Sequence, residues 1–140
     1  MRILGIDYGD VRVGLALSDP TELLAGGIGT VTITGMNNAV SQIVALIAEK
    51  EVKKAVIGLP LNMNGTAGAS ADKIHAFGDK LAAACPGLAI EYLDERRSSI
   101  LAAGFMDETG TFGKKRKQAV DTLSAQIILQ TYLDRQKNRA

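Results

Sequence analysis

The chain has 140 residues, 46% of them apolar, which is the size and composition of one domain built on one core, and 1–140 is read as that single domain. Sixteen basic residues against fifteen acidic ones leave a formal charge of +1, which excludes a protein held on polyanions by bulk charge and requires any nucleic-acid contact to be local. Cys85 and His75 are the sole residues of their types, which excludes an internal disulfide and Cys/His zinc clusters; with no apolar run of about 18 residues, and Asp7 already in the opening stretch, the expectation is a cytoplasmic protein with no membrane contact.

In chain order, Arg2 to Tyr8 reads as a strand, Gly9-Asp10 as a tight turn and Arg12 to Ser18 as the hairpin partner. A third strand near Gly29 to Ile33 completes a meander. Asn37 is a candidate N-cap for a helix whose Val40, Ile43, Val44 and Ile47 share one face. Ala55 to Gly58 reads as a short buried strand. A Gly/Pro/Asn loop then runs to about Gly68 and leads into a helix with Ile74, Phe77 and Leu81 on one face; it lacks the Lys-Ser/Thr end of a Walker loop. Pro86-Gly87 stops that helix. Leu88 to Leu93 is the fifth strand, Ser98 caps a short helix through Met106, Asp107 to Gly113 is a polar loop, and a final helix runs from about Lys117 towards Arg135. Three strands in a meander followed by two strand-helix alternations predict an α/β fold: a mixed five-stranded sheet, with a three-strand antiparallel meander plus two parallel strands and helices on both faces.

In such a sheet, ligands collect at the carboxyl ends of the parallel strands, and acids stand there. Asp7 sits where the first strand runs out, before a glycine that lets a ligand come close; its plain alternative is a cap on the Gly9-Asp10 turn. Asp94 and Glu95 end the fifth strand and point to opposite faces, so only one of them is expected to face Asp7. Asp121 is followed by Ala125, Ile128 and Tyr132 at i+4, i+7 and i+11, so a carboxylate looks along an apolar helix face and needs a cation, donors or a shifted pKa. Three acids meeting there make a hard-oxygen site suited to Mg²⁺ or Mn²⁺, with two ions as the expected number. Ions about 4 Å apart activate a water and stabilise the leaving 3′ oxygen of a phosphodiester with no histidine required. The basic run Lys114-Lys115-Arg116-Lys117 is the local positive feature, where the plain alternative is solvated surface.

Four ordered blocks, Leu4-Gly5-Ile6-Asp7-Tyr8-Gly9 with Arg12 and Gly14, Gly58-Leu59-Pro60-Leu61-Asn62 with Gly65, Asp94-Glu95-Arg96, and Val120-Asp121 with Ile128-Leu129-Gln130 and Tyr132-Leu133-Asp134, resemble the YqgF family of pre-16S rRNA nucleases and Holliday-junction resolvases. The resemblance implies an RNase H-like fold and a nuclease maturing the 5′ end of small-subunit ribosomal RNA. It also implies Asp7, Glu95 and Asp121 as catalytic and metal-binding residues, with Glu95 chosen over Asp94 by that analogy. Arg12, Asn62, Arg96, Lys114, Lys115 and Arg116 are the expected nucleic-acid contacts. The chain departs from the family where Asp94-Glu95-Arg96 continues as Arg97-Ser98-Ser99 in place of Leu-Thr-Thr.

The substrate class stays open at this point between structured RNA, above all precursor ribosomal RNA, and branched DNA, and the assembly between monomer and homodimer. Two other readings compete: a non-catalytic nucleic-acid-binding ribosome-assembly factor, and the phosphate loop of an actin-like sugar kinase, which needs two such domains to enclose a nucleotide.

Overall fold

Arg2–Tyr8 (β1) and Arg12–Ser18 (β2) are apolar or small at nearly every position because both faces of the hairpin are covered in the computed structural model, which describes residues 2–60, 69–95 and 113–139. The hairpin is antiparallel, with Asp7 opposite Gly14 and Gly5 opposite Ala16. Its turn is closed by the Gly9 N–H donating to the Arg12 carbonyl at 3.1 Å. Ala25–Thr32 (β3) completes the antiparallel meander on the outer side of β2. Val52–Pro60 (β4) and Ala89–Glu95 (β5) extend the sheet in parallel on the other side of β1, giving the order β3-β2-β1-β4-β5.

Helices Met36–Lys50 (α1) and Ala69–Ala84 (α2) cover one face, and Gly113–Arg139 (α3) covers the other. The core is therefore in two layers. Leu4, Ile6, Val13, Leu15 and Ile57 pack with Ile43 of α1 and with Ile74, Phe77 and Leu81 of α2. Ile3, Ala16, Val56 and Leu93 pack with Ala125, Ile128, Leu129 and Leu133 of α3. Each large apolar side chain buried in this way contributes on the order of 1.5–3 kcal/mol, so the α3 stripe alone outweighs any single polar contact that the helix makes. Glutamines add direction: Gln130 Oε1 accepts from the Ala25 N–H at 2.8 Å, and Gln126 Nε2 donates to the Ala25 carbonyl at 3.2 Å.

The expected fold class holds, while several boundaries differ for local reasons. Asn37 is not the cap of α1; Gly35 is, without a side-chain bond, and the neighbouring Asn38 carboxamide accepts from the Thr34 N–H at 3.1 Å. β3 starts at Ala25 and not near Gly29, because its glycines read as loop although Gly27 serves to admit Thr122 of α3. β4 starts at Val52: Lys54 breaks the apolar pattern, yet it donates to the Tyr132 hydroxyl at 2.7 Å with its ammonium over that ring. β5 runs on to Glu95, and α3 starts at Gly113, so the basic run belongs to a helix. The loop over 61–68 and the short helix expected from Ser98 to Met106 lie outside the described residues. No helix of the described residues is long and apolar enough to cross a membrane.

Candidate active site

The pleat of β1 sends Ile3, Gly5 and Asp7 towards α3 and Leu4, Ile6 and Tyr8 towards the other layer. Asp7 is thus the last α3-facing position of the strand, at its carboxyl end. Its cross-strand partner is Gly14, and the missing side chain there decides where α3 lies. A Cβ on Gly14 would stand 2.0 Å from the carbonyl oxygen of Asp121 and 3.2 Å from the Asp121 Cβ. Gly5, one pleat back, sits the same way under Leu129, whose Cβ would be 2.7 Å away. Two glycines on adjacent strands therefore let the helix backbone rest on the sheet, and Asp121 arrives over the partner of Asp7.

The two carboxylates sense each other. Asp7 is pushed up to about 7, first by burial and second by the negative charge of Asp121. Among the described residues, no donor is bonded to the Asp7 carboxylate. Asp121 is better provided: Arg12 Nε donates to its Oδ2 at 2.8 Å, with the two side chains 21% and 26% exposed. The apolar stripe below it is as expected, with Ala125, Ile128 and Tyr132 all buried. So the cation that Asp121 requires is met, at least in part, from within the protein.

Of the other expected site residues, Glu95 occupies the end of β5, where it pairs with Pro60, and its side chain lies outside the described residues. Asp94 is exposed and, by strand alternation, stands on the face opposite Leu93. Asn62 and Arg96 lie outside the described residues, as do the side chains of Lys114, Lys115 and Arg116, whose backbone forms the first turns of α3. Among the described residues, no group of three His, Cys, Asp or Glu side chains is placed to hold a metal. His75 is exposed on α2 and tilts against the Tyr92 ring, away from the α3 face. Gly14 is the residue whose site role escaped the sequence reading; a glycine inside an otherwise apolar strand is the signal that marks such a close approach.

Residues 1–135 match a family model described as "RuvX: Holliday junction resolvase". A protein of Clostridioides difficile (strain 630) named "Putative pre-16S rRNA nuclease" is 42% identical over 133 residues, which are 95% of this chain and 94% of that protein. One of the same name from Natranaerobius thermophilus is 41% identical over 139 residues, covering 99% and 98%. Among solved structures, T. thermophilus RuvC in complex with a Holliday junction substrate superposes with a TM-score of 0.57 at 11% identity, covering 98% of this chain and 96% of that one. The Fowlpox virus resolvase bound to Holliday junction DNA gives 0.55 at 11%, covering 97% and 99%. These two likenesses establish the fold, which is RNase H-like.

Proposed function

The chain belongs to the RuvX family, also called YqgF, and from that membership we propose that it is a metal-dependent nuclease hydrolysing phosphodiester bonds in structured nucleic acid, with 5′-end maturation of precursor 16S ribosomal RNA as its task. The observation that carries the reading is the pairing of Asp7 with Asp121 at the carboxyl edge of β1, where burial, and then the charge of Asp121, drive the Asp7 carboxyl up to about 7. A partly buried, donor-poor carboxylate beside a second one fits hard divalent cations such as Mg²⁺ or Mn²⁺. Asp7 and Asp121 would hold them together with Glu95. The register supports Glu95 over Asp94: Ile6, Ile57 and Tyr92 stand level on one face, so Leu93 is level with Asp7 on the other, and the pleat brings position 95 back to that face one period nearer the edge.

Bound there, such ions supply an activated water and charge neutralisation at the leaving oxygen. The protein's own part is to fix the carboxylates: Asp7 through a strand buried on both sides, Asp121 through the seat at Gly14. Substrate grip falls to Asn62, Arg96 and the Lys114–Arg116 run, the last on the first turns of the helix that carries Asp121. Replacing Lys114, Lys115 and Arg116 by alanine is expected to weaken nucleic-acid binding and flatten its salt dependence, by roughly 0.7 to 0.9 in log–log slope for each phosphate no longer neutralised. An unchanged slope in a binding titration would make the run plain solvated surface.

The function is tested by incubating the protein with Mn²⁺ and, separately, precursor ribosomal RNA, a four-way DNA junction and plain duplex. Cleavage of the precursor at defined positions is expected, absent in EDTA, restored by Mg²⁺ or Mn²⁺ and restored poorly by Ca²⁺, whose looser geometry misplaces the water. Cleavage of the junction alone would move the assignment to resolution of branched DNA, the activity in the family's description. Full cleavage in EDTA would end the metal mechanism.

A further inference from the structure

Arg12 sits at the start of β2, one pleat from Gly14 and on the same face, at the turn that the Gly9 N–H closes on its carbonyl. Its Nε–H meets Oδ2 of Asp121 at 2.8 Å, and among the described residues no donor is bonded to Oδ1. The direction of an Nε–H is fixed by the guanidinium plane, so this bond sets the rotation of the carboxylate as well as balancing its charge. A guanidinium committed in this way makes a poor phosphate grip. Turning it to a nucleic-acid backbone would leave Asp121 uncompensated beside a second carboxylate, Asp7, the cross-strand partner of the glycine on which Asp121 rests.

We infer that Arg12 is a positioning residue for Asp121, one that fixes the carboxylate through Oδ2 above the cross-strand partner of Asp7 and that competes with divalent cations for the same carboxylate. This rests on the proposed nuclease reading for its catalytic consequence, though not for the competition itself. The competition follows from charge: a guanidinium on Oδ2 repels an incoming dication and must share or yield the oxygen to it. The site so built binds metal less tightly than two bare aspartates would, and holds them in a defined geometry while it is empty. Arg12 does not hold α3 in place, since that helix is docked by its buried apolar stripe, while a partly exposed ion pair adds little.

The test compares Arg12→Gln and Arg12→Lys with the wild-type protein in three measurements. Without nucleic acid, Mn²⁺ is titrated and binding followed as the shift of the thermal unfolding midpoint. In EDTA, nucleic-acid binding is measured against salt. With Mn²⁺, kcat and KM are measured on the substrate that the wild type cleaves. Arg12→Gln is expected to bind Mn²⁺ about tenfold more tightly, to lose at least tenfold in kcat, and to keep KM and the salt slope. Arg12→Lys restores the charge without the planar Nε–H, so its Mn²⁺ affinity returns towards wild type while kcat stays low. An unchanged or weaker Mn²⁺ affinity in Arg12→Gln overturns the inference; a salt slope lower by about 0.7 to 0.9 with unchanged metal binding makes Arg12 a phosphate contact instead. If Arg12→Gln does not fold, Arg12→Lys decides: wild-type kcat overturns the inference and a kcat loss at wild-type metal affinity upholds it. Failure of every protein to cleave would sink the nuclease reading, while the Mn²⁺ titration would still decide the role of Arg12.

Discussion

Gly14→Ala is expected to lower the unfolding midpoint by roughly 10 °C and to abolish cleavage. The added Cβ would stand 2.0 Å from the carbonyl oxygen of Asp121 and 2.5 Å from its carbonyl carbon, both backbone atoms of a docked helix that cannot swing aside as a flexible side chain would. Either α3 lifts or β2 bows. Overpacking of this kind typically costs about 1–3 kcal/mol, sometimes more, and in a chain of this size each kcal/mol moves the midpoint by roughly 3–5 °C. Activity should fall further than stability, because the residue that moves carries one of the two paired carboxylates, and a misplacement of about 1 Å can cost a hundredfold in rate. Gly26→Ala is the control: its Cβ would find only the Leu17 carbonyl oxygen at 3.9 Å, an ordinary contact, so thermal unfolding and cleavage should both stay near wild type. A Gly14→Ala protein with a normal midpoint and rate would show that α3 is not seated on this glycine.

The second large effect belongs to Asp7. Its carboxyl is raised from 3.8 to about 7, chiefly by burial and then by Asp121, so between these values the folded protein holds a proton that the unfolded chain has released. The folded state binds more protons there, and metal-free stability must fall as pH rises from about 4 to about 7. Three pKa units correspond to a loss of about 4 kcal/mol at most, less to the extent that water reaches the partly buried carboxylate. Asp7→Asn keeps the shape and cannot ionise. In EDTA, urea unfolding of this variant should show that pH dependence largely removed and, at pH 8, greater stability than the wild type by a few kcal/mol; cleavage should be lost at every pH. Mn²⁺ should restore the wild type's stability at pH 8 and leave the variant unmoved. A variant less stable than wild type at pH 8 would mean that the Asp7 carboxylate is compensated in the folded protein.

What could be read in advance was whatever depends on period. The two buried faces of β1 and β2, the stripe of Ile74, Phe77 and Leu81 on α2, and the placement of Asp121 above Ala125, Ile128 and Tyr132 all follow from alternation by two or by 3.6. What depends on a partner far along the chain could not be read that way. Arg12 and Asp121 are 109 residues apart, and nothing near Arg12 distinguishes an internal ion pair from a phosphate contact. Gly14 belonged visibly to a family block, yet its work is done against a helix backbone that only the packed sheet brings near. Boundaries slipped where a residue behaves against its type: Lys54 lies along an aromatic ring, the glycines of β3 are in register with β2, and Asn37 yields the cap position to Gly35. Of the two acids at the end of β5, alternation says only that one faces Asp7, and the family resemblance is what picks Glu95 over Asp94.

α3 follows all five strands in the chain and covers the sheet face formed by the first strands, with Asp121 landing on a hairpin complete by residue 18. During synthesis, every strand of the sheet leaves the ribosome before the helix that roofs Ile3, Ala16 and Val56, so that apolar face waits open and closes only when α3 docks. The two aspartates can meet no sooner. On the proposed reading, with Asp7 and Asp121 as the working carboxylates, a product stalled or truncated before Asp121 is inactive, because it holds half of the pair and lacks the helix that seats the other half.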